Sequence, residues 1–202
     1  MTGLSVPTLL AATAVASFVM AVALAIVAYR RMAALFTWAG AIAAHGVAYV
    51  LFVLRGAIPD LLSIVAGNVA LSAAFALFAT GLAQFQGRHF PMAAVWGPVA
   101  AVAVVFTAFL GNAPMRVIVG GAIFAAQALL VLVALVQHRT TTPGRGQYVL
   151  MAGFALVSAV FAGRILAALG GGFGGESVLS GDPVQQASFM VAILIPMVLA
   201  LG

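Results

Sequence analysis

The chain has 202 residues, of which 65% are apolar and only 5% are charged. This composition is typical of an integral membrane protein and excludes a soluble globular domain. The net charge of +5 comes from arginine alone, and the absence of lysine and cysteine excludes a retinal Schiff base, disulfides and thiolate-ligated metals.

Proline residues divide the apolar sequence into long segments. Six of them stand just before or just inside such a segment, where the first helical turn tolerates a missing N–H. These are Pro7, Pro59, Pro91, Pro114, Pro143 and Pro183. We therefore predict one domain, 1–202, built as an all-α bundle of seven transmembrane helices. The predicted spans are 7–29, 33–54, 60–85, 91–110, 114–137, 146–169 and 183–202.

The second predicted helix carries Trp38, His45 and Tyr49 as one stripe on one face. His45 lies near the middle of the span, where a polar side chain is costly and often functional. Three interpretations are open: a haem or metal ligand, part of a ligand pocket, or a hydrogen bond between helices. A spanning haem site usually needs a second histidine at similar depth, but His89 and His138 lie at span ends. We therefore predict no cofactor.

The third predicted helix has clear ends and one polar face. Pro59 and Asp60 begin it, and we expect the Asp60 carboxylate to cap the first turn. Gly87 ends it. Asn68 and Ser72 lie one turn apart on the same face. Because hydrocarbon offers these two side chains no water, we expect their face to point toward other helices.

Three short motifs follow one another around this helix: RG-x-x-P at 55–59, GN-x-x-L at 67–71 and GL-x-x-F-x-GR at 81–88. The sequence from Trp38 to Arg88, and more faintly from Arg164 onward, resembles a family of membrane regions. These are the multi-pass N-terminal sensor regions that precede the GGDEF domain in bacterial diguanylate cyclases. The resemblance implies a sensor of the bacterial inner membrane that acts in cyclic di-GMP signalling. It also implies a homodimer and a cytoplasmic output domain following residue 202.

The faces of the fifth and sixth predicted helices indicate how these helices pack. Arg116, Gln127 and His138 are spaced eleven residues apart and lie on nearly the same face. This seam is either a solvated path or a face packed inside the bundle, and we favour packing. The sixth helix has small residues at every fourth position, which lets another helix approach closely. They are Ala155, Ala159, Gly163 and Ala167. The partner is either in the same chain or in a second copy.

Arginine positions predict the orientation of the bundle. The connections after helices one, three and five carry five arginines and no acidic residue: Arg30, Arg31, Arg88, Arg139 and Arg145. The opposite side carries three arginines and all three acids: Arg55, Arg116, Arg164, Asp60, Glu176 and Asp182. The positive-inside rule places the first set in the cytoplasm. The N-terminus is then outside and the C-terminus is inside.

The three outer arginines are the candidate binding residues. Arg164 lies more than one turn inside its helix, where an unpaired charge is costly. Arginine presents a planar fork of donors that suits a carboxylate or a phosphate. One interpretation is pairing with the acids and snorkelling, and the other is a pocket in which a small anionic ligand replaces Glu176 beside Arg164. The predicted ligand-binding residues are Arg55, Arg116, Arg164, His45, Asn68 and Glu176.

The sequence contains no paired carboxylates, catalytic triad, metal-ligand motif or phosphate-binding loop, so we predict that it is not an enzyme and holds no metal. We assign its basic charge to the lipid bilayer surface rather than to nucleic acid. Two functions remain open. The first is a sensor module that relays an outer-face or intramembrane stimulus through helix seven to a cytoplasmic output domain, which the resemblance implies is a diguanylate cyclase. The alternative is a small facilitator or transporter for a neutral or anionic solute.

Overall fold

The computed structural model of the protein describes residues 5–29, 32–140 and 144–170. These residues form six helices and no β-strand. The helices are α1 (Val6–Ala28), α2 (Ala33–Val53), α3 (Leu61–Phe85), α4 (Met92–Ala108), α5 (Ala113–Gln137) and α6 (Gly146–Leu169). The first six predicted spans agree with these helices to within two residues at each end. The predicted seventh span, 183–202, lies outside the described residues.

The described helices have the length and composition of membrane spans. Five of them, α1, α2, α3, α5 and α6, are long and apolar enough to cross a membrane. The apolar helix α4 has 17 residues. At about 1.5 Å per residue it is about 25 Å long, slightly short of a hydrocarbon core of about 30 Å. The protein is therefore a helical, multi-pass membrane protein.

The helix α3 packs against three other helices, α2, α4 and α5, while α1 packs on α2 and α6 packs on α5. The short connections make successive helices antiparallel neighbours. Aromatic rings fill the contact between α3, α5 and α6. The ring centroid of Phe124 lies 6.1 Å from that of Phe75 and 5.1 Å from that of Phe161, on which it stacks.

Polar side chains on α3 and α5 point into this packing. Ser72 is fully buried and hydrogen-bonds to Gln127, which is 5% exposed. The inward orientation predicted for Ser72 is confirmed, and so is the packing interpretation for Gln127. Asn68, one turn before Ser72, is half-buried and bonds within its own helix.

The start of α3 differs from the prediction. Asp60 makes no capping hydrogen bond, so the predicted side-chain cap is wrong. Its backbone is already helical, with φ −58° and ψ −31°, whereas a capping residue normally has an extended backbone that turns its side chain toward the first N–H groups. The carbonyl of Pro59 accepts these hydrogen bonds instead, from the N–H of Leu62 at 2.9 Å and of Ser63 at 3.1 Å.

The end of α3 is as predicted. Gly87 has φ +62°, the left-handed conformation that glycine adopts without a steric penalty. Its N–H donates to the carbonyl of Gln84 at 3.2 Å, and the N–H of Arg88 donates to the carbonyl of Ala83 at 2.8 Å. This pair of hydrogen bonds is a Schellman motif and satisfies the last carbonyls of the helix.

The first turn of α3, Leu61–Ala66, is π-helical, and α5 has a π-helical turn after its first three residues, at Arg116–Gly120. Each is closed by a glycine that admits a phenyl ring from a neighbouring helix. A Cβ on Gly67 would lie 2.6 Å from the Phe52 ring, and one on Gly120 would lie 2.5 Å from the Phe106 ring. Both π-helical turns contact α4. Such turns are rare and often occur at functional sites.

The small-residue face of α6 is not covered by the described helices. Ala155, Ala159 and Gly163 are exposed. A Cβ on Gly163 would meet no atom within 4 Å. The close helix contact predicted for this face is therefore not made by α1 to α5.

Candidate functional site

Arg116 ties the start of α5 to the end of α4. It opens the π-helical turn of α5 and is 8% exposed. Its Nη1 donates to the carbonyl of Phe109 at 3.0 Å and to the carbonyl of Leu110. The last carbonyls of a helix have no partner within it and carry partial negative charge. Arg116 therefore caps α4 from a neighbouring helix.

Arg55 lies in the tight turn between α2 and α3. Gly56 follows it with φ +89°, which a glycine permits. Arg55 is half-buried, and burial lowers the pKa of its guanidinium below the ordinary value, while the charge of Asp60 partly opposes this shift. Burial disfavours the charged form, so a nearby anion stabilises it.

Arg55, Asp60 and Arg116 form one electrostatic group, because the charges of Arg55 and Asp60 both act on Arg116. We call it the Arg116 cluster. Its two guanidinium groups and one carboxylate sum to a net charge of +1. Both hydrogen bonds that Arg116 donates use Nη1, so its Nη2 and Nε have no hydrogen-bond partner among the described residues. The cluster thus combines excess positive charge with unused guanidinium donors.

Arg164 lies on α6 and is half-buried. Its charge acts on the hydroxyl of Tyr49, which lies on α2. The next residue, Ile165, packs against α5, where a Cβ on Gly121 would lie 3.0 Å from its Cγ1. Because Gly121 follows the π-helical turn that Arg116 opens, Arg164 lies deeper in the bundle than Arg116. The structure thus places Arg164 at the same end of the bundle and couples it to Tyr49.

His45 is bound to α1. It is buried, its Nδ1 lies 3.0 Å from the Ser17 Oγ, and its ring lies 4.6 Å from that of Tyr49. Ser17 has one hydroxyl proton and donates it to the carbonyl of Thr13 at 2.7 Å. The hydrogen bond between Ser17 and the His45 Nδ1 thus joins the two helices. Of the three interpretations of His45, the structure shows the hydrogen bond between helices.

Asn68 and Glu176 complete the predicted set of binding residues. The Nδ2 of Asn68 donates to the carbonyl of Ile64 at 2.7 Å. Since Ile64 belongs to the π-helical turn of α3, Asn68 supports the backbone near the Arg116 cluster. Glu176 lies outside the described residues. The described ranges contain no group of three or more histidine or acidic side chains that could hold a metal ion.

Two members of these contacts were not predicted from the sequence. Asp60 was assigned to helix capping, the usual role of an aspartate after a proline at a helix start. Ser17 was not singled out, although Thr13 and Ser17 lie one turn apart in a long apolar helix and share a face. That polar pair is the sequence signal that points to a buried contact.

Comparison with known proteins identifies no relative. The chain matches no protein-family model, no curated protein and no solved structure.

Proposed function

We propose that this chain is the membrane-embedded sensor module of a signalling protein and that it binds a small anionic ligand at the Arg116 cluster. The observation that carries the proposal is that the charges of Arg55 and Asp60 both act on Arg116, with Asp60 the one carboxylate near it among the described residues. A ligand carboxylate or phosphate would neutralise the excess charge and accept hydrogen bonds from the planar guanidinium forks. Arg164, deeper at the same end, extends the site toward α6.

The contacts of Arg116 supply a route from binding to a change in helix packing. Its Nη1 holds the carbonyls at the end of α4. A bound anion would compete with these carbonyls for the guanidinium and so loosen the cap. The two π-helical turns also contact α4, so α4 is the helix we expect to shift. A ligand can shift the equilibrium between two positions of α4 only by the difference in its affinity for those two positions.

The positive-inside rule places the Arg116 cluster on the outer face of a bacterial inner membrane. The output would then pass through a seventh helix, 183–202, to a cytoplasmic domain following residue 202. The resemblance to diguanylate cyclase sensor regions supports a GGDEF domain in that position, acting as a homodimer in cyclic di-GMP signalling.

The packing of the described helices favours a sensor over the alternative, a facilitator for a neutral or anionic solute. A transport path needs polar groups that face the solute. In the described bundle, Ser72 and Gln127 bond to each other, and Ser17 and His45 do the same. Phe75, Phe124 and other aromatic rings fill the space between α3 and α5.

Binding of simple anions to the purified protein in nanodiscs tests this proposal. Succinate, citrate and inorganic phosphate are the probes. Hydrogen bonds to charged groups contribute about 1.5–3 kcal/mol each, so Arg55→Gln should weaken the best of these ligands about tenfold or more. Arg139→Gln, which removes an exposed arginine beyond the other end of α5, is the matched control and should leave the affinity unchanged. Equal affinities of the native protein and Arg55→Gln would refute the site.

A further inference from the structure

A second basic site lies at the opposite end of the bundle, where α3 and α5 end. The Nη1 of Arg88, just after α3, lies 2.8 Å from the Nδ1 of His138 and also contacts its Nε2. Arginine can only donate hydrogen bonds, so the imidazole accepts. Two basic side chains from separate helices are therefore held against each other.

The Arg88 side chain is not needed to cap its own helix. The Schellman motif already satisfies the carbonyls of Ala83 and Gln84 with backbone N–H groups. The guanidinium instead reaches across to α5. Attraction to the dipole of α3 alone does not explain why the guanidinium points toward α5, because the nearest α3 carbonyls already accept hydrogen bonds from backbone N–H groups.

The charged residues that the structure describes around this pair are all arginines. Arg88, Arg139 and Arg145 are exposed at this end. Asp60 is the acidic residue within the described ranges, and it lies just before the first residue of α3. The helix α3, which has 25 residues, separates Asp60 from Arg88. At about 1.5 Å per residue, Asp60 is about 37 Å away from the Arg88 end of the helix. The described ranges thus place no carboxylate beside these cations, and an external anion would balance their charge.

Aromatic side chains fix the depth of this site. Phe85, at the end of α3, and Tyr148, near the start of α6, are both exposed. An exposed tyrosine at a helix end, such as Tyr148, is typical of the level of the lipid headgroups. The phosphate of a phospholipid lies at the same level. This position therefore favours a lipid, rather than a solute from bulk water, as the source of the anion.

We propose that Arg88 and His138 bind the phosphate of an anionic phospholipid between the ends of α3 and α5. The planar guanidinium offers its remaining N–H groups to the phosphate oxygens, a geometry that arginine provides and lysine does not. His138 holds the guanidinium in place. The lipid would then join α3 to α5 at this end of the bundle, independently of any ligand at the Arg116 cluster.

The thermal stability of the purified protein in neutral detergent tests the lipid site. The probes are dioleoylphosphatidylglycerol, which is anionic, and dioleoylphosphatidylcholine, which has no net charge. We expect the anionic lipid alone to raise the Tm of the native protein, and Arg88→Gln to lose at least about half of that rise. Arg139→Gln is the matched control, because it also removes one positive charge, at the residue next to His138. It should keep most of the rise.

Two further variants keep the test decisive if Arg88→Gln is unstable. Arg88→Lys retains the charge without the fork, and His138→Gln removes the imidazole, so both should reduce the rise in Tm and the number of phosphatidylglycerol molecules retained in native mass spectra. Equal losses in Arg88→Gln and Arg139→Gln would show diffuse attraction and overturn the proposal. An equal rise with phosphatidylcholine, or with inorganic phosphate, would also overturn it.

Discussion

Ser72 on α3 and Gln127 on α5 form a reciprocal pair of hydrogen bonds inside the bundle. The Ser72 Oγ donates to the Gln127 Oε1 at 2.9 Å, and the Gln127 Nε2 donates back to the Ser72 carbonyl at 3.1 Å. One side chain thus satisfies both a hydroxyl and a backbone carbonyl of the other helix. This pair fixes the depth at which α3 and α5 meet.

The first prediction concerns the strength of this pair. Ser72→Ala and Gln127→Leu should each destabilise the protein, and a double-mutant cycle should show a coupling energy of about 0.6 kcal/mol, the average for interhelical hydrogen bonds in membranes, and at most about 1.7 kcal/mol. Unfolding in mixed micelles measures it. Strict additivity of the two single changes would mean that the pair contributes nothing to helix association.

The second prediction concerns the close contact between α2 and α3. The Nε1 of Trp38 donates to the carbonyl of Phe78 at 3.2 Å. This places the indole against Gly81, where an added Cβ would overlap the ring. Gly81→Ala should cost about 1–3 kcal/mol of stability because the indole must move or lose its hydrogen bond. Gly40→Ala is the control, since a Cβ there meets no atom within 4 Å. A similar Tm for both variants would contradict the packing.

The third prediction tests the orientation and the crossing of α4. The natural chain has no cysteine, so single cysteines report without background. His89 and Gly111 are exposed and stand on either side of α4. In intact cells, an impermeant maleimide should label Gly111→Cys and should label His89→Cys only after permeabilisation. Labelling of both from outside would show that α4 does not cross, and the opposite pattern would reverse the orientation.

Local signals predicted the helices well, because prolines and glycines interrupt the apolar sequence at each end. The Schellman motif at Gly87 is one such signal. The arrangement of the helices was harder to predict. Lipid and protein core are equally apolar, so the faces of a membrane helix lack the contrast that orients a helix in water.

The candidate site was only partly predictable from the sequence, because it too depends on how the helices are arranged. Arginine positions predicted that Arg55 and Arg116 lie on one membrane side, and the charge of Arg55 acts on Arg116. At the π-helical turns, Phe52 and Phe106 pack against glycines of other helices. Such contacts join distant parts of the chain and leave no local pattern. The role of Asp60 as a charge partner also depends on its three-dimensional neighbours.

The central claim is that an anion at the Arg116 cluster moves α4 relative to α5. Spin labels on cysteines at Val104 of α4 and Leu129 of α5, both exposed positions, would measure this by double electron–electron resonance. The tightest-binding anion among succinate, citrate and phosphate should shift the distance distribution in the native background. Arg116→Lys, which lacks the guanidinium fork that would bind the anion, should abolish the shift. An unchanged distribution in the native background at saturating anion would contradict the claim.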